Sequence, residues 1–356
     1  MRPYTCPKCQ HSLFFENTEC LNCGAILGFD PVGMQMVAFD PPGVPDAPWP
    51  LLADAGPPMQ PCRTRLEYSA CNWMVTDNDP QQLCQSCRLT ATRPDLSVAG
   101  HRQMWAEYEQ AKRRLVYGLL RIGLKPEPKK DPGDDQGLAF HFLASQPGQP
   151  PVMTGHDRGT IILSLDEADS VHRESVRSDF GEPWRTLLGH VRHETSHYLQ
   201  HRWIETDSAA TSLFREVFGD ERADYGQALA RHHADGPPAD WPQHYISSYA
   251  SSHPHEDWAE TCAHVLLVQD AVETAQSWGL SLSSPVANSQ SSADLLDAQS
   301  WSDLLLSQWL PVAQFLNAIN RSIGVADSYP FLMPSQVVRK MSTAARLLRG
   351  AAQRNA

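Results

Sequence analysis

Eight of the nine cysteines of this chain lie before residue 90, and their spacing limits how the N-terminal part can fold. Two CxxC pairs come first, separated by ten residues: Cys6, Cys9, Cys20 and Cys23. Four thiolates at this spacing are the closed tetrahedral set that a structural zinc ion takes. Because fewer than about 30 residues bury too little apolar surface to fold alone, we expect residues 1–27 to form a zinc ribbon around its metal.

A second cysteine group lies in residues 62–97 and contains one CxxC pair. Its members are Cys62, Cys71, Cys84 and Cys87. The group predicts a second structural zinc, and free thiols in a small core are the alternative. Residues 28–61, between the two groups, are rich in proline and show no sustained period, so we expect a connector without helices.

The start of the chain, MRPYTCPKCQ, lacks the apolar region of an export signal, and no run of about 18 apolar residues follows. We therefore expect a cytoplasmic protein without a membrane span, in which the cysteines bind metal rather than form disulfides. The formal net charge of -12 disfavours general binding to nucleic acid or anionic membranes. Residues 1–97 also carry more acidic than basic side chains, which argues against a ribbon that binds nucleic acid.

Hydrophobic periodicity predicts an α+β, mainly helical domain over residues 98–356. An amphipathic helix opens it, with Trp105, Tyr108, Leu115, Leu119 and Ile122 at helical intervals. The segments GLAFHFLAS and RGTIILSLD have the β-branched and aromatic content of strands. Further helices are predicted for EPWRTLLGHVRHETSHYLQHRWI, FREVFGDERADYGQALARHH and HEDWAETCAHVLLVQDAVETA. The serine-rich LSLSSPVANSQSS is expected to be a loop or an insertion.

The sequence HETSH, residues 193–197, has the HExxH pattern of a zinc hydrolase. On a helix, His193 and His197 lie four residues apart on one face, where both rings can bind one metal ion. Glu194 lies beside them, where it would accept a proton from a water molecule. His201 is about 12 Å along the helix from His193, too far to share that ion. The alternative is a polar surface helix that happens to be rich in histidine.

The third ligand of such a site would be a carboxylate from a later helix, and two candidate groups follow. The first is GDERADYG, which contains three carboxylates: Asp220, Glu221 and Asp224. The second is YASSHPHEDWAE, in which Pro254 favours a helix start and Glu256 and Glu260 lie one turn apart. Glu256 would then bind the metal, and Glu260 would orient a histidine ligand through its ring N–H. The alternative for this second group is an ordinary acidic cluster at a helix N-terminus.

The order HExxH, Tyr249, Glu256, Glu260, with six and then three residues between the last three, resembles the active site of gluzincins related to anthrax lethal factor. The segments CNWMVTDND, LCQSCRL, YASSHPHEDWAETCAHVL and NRSIGVADSYPF extend the resemblance. With its cysteine-rich start, most of the chain resembles a bacterial family of zinc-binding metallopeptidases with an N-terminal zinc ribbon.

This resemblance implies a zincin-like (gluzincin) metallopeptidase domain over residues 98–356 and gives roles to six residues. They are His193, His197 and Glu256 as ligands of a catalytic zinc, Glu194 as base, Tyr249 near the substrate oxyanion, and Glu260 beside a ligating histidine. Four further residues lie in a segment of the resemblance whose role the sequence does not explain: Asn320, Arg321, Asp327 and Tyr329.

We therefore expect a zinc metallopeptidase that acts on a peptide or protein substrate, with one catalytic and two structural zinc ions. The zinc ribbons would recruit a substrate or a protein partner. Two alternatives stay open: a zinc-stabilised binding or scaffold protein without turnover, and a zinc hydrolase of a non-peptide amide. Glu194 counts against the first, because a structural site needs no base. The strand GTIILSL would pair with an extended substrate, unless it is an interior strand with neighbours on both sides.

Overall fold

The N-terminal part of the computed structural model consists of short antiparallel strand pairs. The structure describes residues 2–40, 49, 51, 58–179, 185–282 and 298–355. Strands β1 (Tyr4–Thr5) and β2 (Ser12–Leu13) form the first pair, and β3 (Ile26–Asp30) and β4 (Gln35–Phe39) form the second. Helix α1 (Arg63–Tyr68) then lies between β5 (Met59–Pro61) and β6 (Met74–Thr76), which pair with each other.

The β3–β4 hairpin differs from the connector predicted for residues 28–61. Phe29 and Phe39 are fully buried, and the ring of Phe29 packs against Trp73 at a centroid distance of 5.3 Å. Asp30 closes the turn by accepting hydrogen bonds from the backbone N–H groups of Val32 and Gly33. Because this hairpin is buried against the second cysteine group, its strands lack the alternation of a half-exposed sheet that would mark them in the sequence. Residues 41–48 of the predicted connector lie outside the described residues.

One mixed sheet joins the cysteine-rich part to the rest of the chain. Its strand order is β7 (Thr90–Thr92), β8 (Ala139–Leu143), β10 (Thr160–Ser164), β9 (Gly155–Asp157). Strands β7, β8 and β10 are parallel, whereas β9 runs antiparallel to β10 and forms an edge of the sheet. The strand GTIILSL is therefore β10, an interior strand with neighbours on both sides, and the two edges of the sheet are β7 and β9.

The helices pack around two central ones, α4 (Leu187–Leu199) and α8 (Pro254–Ser277), which contact each other along their faces. Helix α2 (His101–Arg121) packs on α4, and α11 (Ser335–Asn355) packs on α8. A π-helical turn, Gln200–Ile204, extends α4. The other helices are α3 (Ser170–Asp179), α5 (Ser208–Phe218), α6 (Tyr225–Asp235), α7 (Trp241–His244), α9 (Ala298–Leu304) and α10 (Leu310–Ser322). The fold class is thus α+β and mainly helical, as predicted.

The single helix predicted for FREVFGDERADYGQALARHH is wrong, because the chain breaks between α5 and α6. Gly219 ends α5 with a φ of 102°, a backbone conformation that favours glycine. Asp224 then caps α6, since its carboxylate accepts a hydrogen bond from the backbone N–H of Gln227 at 2.9 Å. This break places Tyr225 in the first turn of α6. The serine-rich segment LSLSSPVANSQSS lies almost entirely outside the described residues.

The zinc-ribbon part rests on α2 and on the C-terminal end of α8. Glu273 of α8 pairs with Arg2 at 2.6 Å and with Arg121 at 3.0 Å. Phe14 of the ribbon part stacks on Trp278, just after α8. No helix within the described residues is long and apolar enough to cross a membrane. The cytoplasmic location stays a prediction of the sequence.

Candidate active site

Helices α4 and α8 bring together three side chains that the sequence proposed as metal ligands. The Nε2 atoms of His193 and His197 lie 3.3 Å apart. Oε2 of Glu256 lies 3.1 Å from Nε2 of His193 and 3.5 Å from Nε2 of His197. The helix starts fix this register: Thr186 caps α4 by accepting from Gly189 N–H, and His253 caps α8 by accepting from His255 N–H.

The geometry of these three atoms fits a zinc ion. Tetrahedral zinc with ligands at about 2.1 Å holds adjacent nitrogen and oxygen ligands roughly 3.4 Å apart. The observed separations of 3.1, 3.3 and 3.5 Å agree with that spacing. Oε2 of Glu256 is buried without a hydrogen-bond partner, a costly state that a cation would relieve. The donor set of two imidazoles and one carboxylate also leaves a fourth position, as catalytic zinc sites do.

Two of the three proposed ligands, His193 and Glu256, form hydrogen bonds with side chains outside the ligand set. Nδ1 of His193 donates to Oε1 of Glu260 at 2.6 Å, and Ser247 Oγ donates to Oε2 of Glu260 at 2.7 Å. The hydroxyl of Tyr225 donates to Oε1 of Glu256 at 2.8 Å. Such outer hydrogen bonds fix the tautomer of a histidine ligand and the orientation of a carboxylate ligand.

The local electrostatics keep the carboxylates of the site ionised. Burial alone would raise the pKa of Glu256, but the neighbouring His197 and His193 bring it well below its usual range. Burial likewise opposes ionisation of Glu260, and its contacts with His193 lower its pKa to about 2. The pKa of His193 is raised well above its usual value, because these two carboxylates outweigh the effect of burial.

Glu194 stands beside the ligand set without belonging to it. It projects from α4 and is nearly buried. Burial acts to raise its pKa, but the nearby His156, His193 and His197 lower it, so Glu194 is a carboxylate. An ionised carboxylate next to a metal site has the state that a proton acceptor needs.

Tyr249 lies on the same side of the site, in the short helical turn that precedes α8. Its ring is centred 6.1 Å from the ring of His193. Burial, Glu256 and Tyr225 all raise its pKa well above the usual value, so its hydroxyl keeps its hydrogen. Tyr249 is thus placed as a hydrogen-bond donor near the ligands.

The carboxylates of the other candidate group have partners of their own. Asp220 pairs with Arg222 at 2.7 Å, and Glu221 pairs with Arg215. Asp224 is the cap of α6. None of the three is among the residues that the described structure brings within metal-binding distance of the HETSH histidines.

The two cysteine groups each bring four Sγ atoms together within 4.8 Å of one another. The Sγ atoms lie 3.7 Å apart for Cys6 and Cys23, 3.6 Å apart for Cys9 and Cys20, and 3.8 Å apart for Cys71 and Cys84. Tetrahedral zinc with Zn–S bonds of about 2.3 Å requires sulfur separations of roughly 3.8 Å. The first cluster is partly exposed at Cys9 and Cys23, whereas the second is buried throughout.

Comparison with known proteins agrees with these sites. Residues 101–347 match the model of a family with the description "Putative zinc-binding metallo-peptidase", and residues 3–98 match a zinc-ribbon domain. The chain belongs to this metallopeptidase family. Uncharacterized proteins of Mycobacterium bovis and of two Mycobacterium tuberculosis strains are each 42% identical over 342 residues, which cover 96% of this chain and 93% of each relative. No solved structure matches the chain.

In this member of the family, the segment NRSIGVADSYPF closes a loop after α10. Asn320 donates to the carbonyl of Ala326 at 2.8 Å, and Arg321 pairs with Asp327 at 2.6 Å. The buried Tyr329 places its hydroxyl 2.9 Å from Nδ1 of His264 in α8. These contacts give the four unexplained residues a structural role in fixing the loop against the helix that carries Glu256.

Two residues of the candidate site, Tyr225 and His156, were not identified from the sequence. Tyr225 lies 31 residues before Glu256 in the sequence, and in GDERADYG the acidic residues draw attention instead. His156 lies on β9 and stacks on His197 with ring centroids 3.8 Å apart, and its ligand atoms lie within 4.8 Å of those of Glu194 and His197. A single histidine in a three-residue strand has no spacing that points to the HExxH helix.

Proposed function

We propose that this protein is a zinc-dependent peptidase that hydrolyses peptide bonds with Glu194 as general base. The observation that carries this proposal is the buried trio of His193, His197 and Glu256, with the ionised Glu194 beside it and outside it. When held by the trio, a zinc ion acidifies a water molecule and polarises the scissile carbonyl. A structural metal site does not require an ionised carboxylate, such as that of Glu194, beside its ligands.

Glu194 accepts the proton of the attacking water at a carboxylate oxygen and then delivers it to the leaving amine. Its lowered pKa keeps it ready to accept. Tyr249 donates its hydroxyl hydrogen to the oxygen on which negative charge develops, a contact worth about 3 kcal/mol in comparable sites. Tyr225 and Glu260 hold Glu256 and His193 in place.

The substrate in this proposal is an extended peptide or protein segment that pairs with β9. This strand is an edge of the mixed sheet, and it also contacts α4 beside the site. An exposed strand edge offers backbone hydrogen bonds to any extended chain, which is a common mode of peptide recognition. Pairing there would place a substrate next to Glu194.

The zinc ribbon serves as a docking module for a protein substrate or partner. Its surface exposes large apolar side chains, namely Phe14 at 62% and Leu21 at 89%. Glu273, which anchors the ribbon, lies 17 residues along α8 from Glu256, or about 25 Å at 1.5 Å per residue. This contact of the ribbon therefore lies far from Glu256.

Metal analysis combined with a peptide-library assay tests the proposal. We expect three zinc ions in the wild type and one fewer in Glu256→Ala and in the His193→Ala/His197→Ala double variant. The wild type should cleave library peptides, and Glu194→Gln should keep three zinc ions without cleaving. Unchanged zinc in the double variant would contradict the site, and three zinc ions without cleavage of any peptide would favour a binding protein.

A further inference from the structure

His156 is the one residue of the edge strand β9 that touches both the predicted base and a predicted ligand within the described residues. Its ring lies parallel to that of His197, with centroids 3.8 Å apart and an interplanar angle of 8°. Its Nδ1 lies 3.5 Å from Oε2 of Glu194. Its side chain is 29% exposed, so it also contacts solvent.

Ligand atoms of His156, Glu194 and His197 lie within 4.8 Å of one another, but the stacking of the two rings argues against His156 as a ligand of an ion bound by His197. An imidazole binds a metal through a lone pair that lies in the ring plane. The two planes here are nearly parallel and separated, so lone pairs from both rings cannot converge on one ion. Nε2 of His197 faces His193 and Glu256 instead. His156 is thus left to act on Glu194.

Glu194 needs such a partner because a glutamate side chain has several rotatable bonds. Within the described residues, the hydrogen bonds and ion pairs of its carboxylate involve His156 only. A separation of 3.5 Å is long for a hydrogen bond, but catalytic hydrogen bonds tighten when substrate binds. His156 itself is fixed by the backbone pairing of β9 with β10, opposite Ile161, and by its stacking on His197.

We propose that His156 is a positioning residue for Glu194: its Nδ1–H holds Oε2, so that Oε1 is free to accept the proton of the attacking water. This inference rests on the proposed peptidase function and deepens it. Because the same short strand forms the sheet edge, backbone pairing of a substrate with β9 would align the scissile bond and the base through one element.

Two substitutions at His156 separate the hydrogen bond from the stacking. His156→Asn keeps an N–H donor near the position of Nδ1, whereas His156→Phe keeps a flat ring on His197 and removes the donor. We expect His156→Phe to lower kcat about 10- to 100-fold, with KM and zinc content unchanged, as for other outer hydrogen bonds of metal sites. His156→Asn should stay within a few-fold of the wild type. His141→Phe, the same change on β8 of the same sheet, is the control and should keep the wild-type kcat.

A wild-type kcat in His156→Phe, an equal loss in both His156 variants, or loss of zinc from His156→Phe would each overturn the inference. Nuclear magnetic resonance of the zinc-loaded full chain, labelled with ¹⁵N-histidine, provides a readout without turnover. We expect hydrogen on Nδ1 of His156, and a shift of this signal in Glu194→Ala. An Nδ1 without hydrogen would overturn the proposal. A wild type that cleaves no peptide would instead refute the peptidase function, and the spectrum would still decide the role of His156.

Discussion

The cysteine clusters and the histidine–glutamate site are both suited to zinc, but they are built in opposite ways. Each cysteine cluster takes four ligands from a stretch of fewer than 30 residues and closes the tetrahedron. The histidine–glutamate site takes three ligands from two long helices and has an ionised carboxylate beside it. In the first kind of site the metal organises the chain, whereas in the second the packed core organises the ligands. This difference is the reason why we propose a structural role for the cysteine clusters and a catalytic role for the histidine–glutamate site.

The largest effect should come from breaking the buried cysteine cluster. Cys84→Ser removes a thiolate from a site on which local folding depends, and we expect a loss of several kcal/mol in the free energy of unfolding, together with one zinc ion. Thermal unfolding and metal analysis measure both. Cys262→Ser is the matched control, a buried thiol of α8 outside both clusters. Equal stability of the two variants would contradict a structural role for the second cluster.

The opposite pattern is expected for Glu194→Gln. This change removes the proton acceptor, so we expect the rate of peptide hydrolysis to fall about 10²- to 10⁴-fold. Zinc content and unfolding temperature should stay close to those of the wild type, because Glu194 is not a ligand. Hydrolysis by Glu194→Gln at the wild-type rate would contradict the catalytic role proposed for the histidine–glutamate site.

Acid should weaken the helix core that supports the histidine–glutamate site. Burial lowers the pKa of His264 to about 4, whereas an unfolded histidine titrates near 6.5. As pH falls from about 6.5 to 4, the unfolded state takes up the proton first, so the free energy of unfolding decreases by up to about 3 kcal/mol. Denaturation of the metal-free protein across this range measures the effect.

His264→Asn should flatten that decrease, because it keeps a polar atom near Tyr329 without a titrating ring. The same pH slope in both proteins would assign the acid sensitivity to other groups.

The smallest expected effect is the difference between substitutions of the two tyrosines of the site, Tyr225 and Tyr249. Tyr225→Phe removes the hydrogen bond to Glu256, so we expect zinc affinity at this site to fall about 10- to 100-fold. Tyr249→Phe should keep the affinity and lower kcat instead, since we propose that its hydroxyl donates to the substrate oxyanion and not to a ligand. Competition with a chelator and steady-state kinetics distinguish the two. Equal affinities in both variants would contradict the role of Tyr225.

Local patterns in the sequence were enough for much of this architecture. The cysteine spacings and HETSH each lie within one short stretch, and the step from Glu256 to Glu260 is one helical turn. Tyr225 and His156 were not predicted, because they reach the site only through the break at Gly219 and the edge position of β9. The β3–β4 hairpin was missed because its burial depends on Trp73, a contact made in three dimensions.

Helix α8 carries the proposed metal ligand Glu256 near its N-terminal end and Glu273, which pairs with Arg2 of the ribbon, near its C-terminal end. Glu256 lies in its first turn, and Glu273, near its last, is clamped by Arg2 and Arg121. Because both residues belong to one continuous helix of 24 residues, we expect a change in how the ribbon end is seated to shift Glu256 as well. Misplacement by about 1 Å costs an active site roughly 100-fold in rate. We therefore expect substitutions at the contact between the ribbon and α8 to alter the proposed activity without changing a residue of the candidate site.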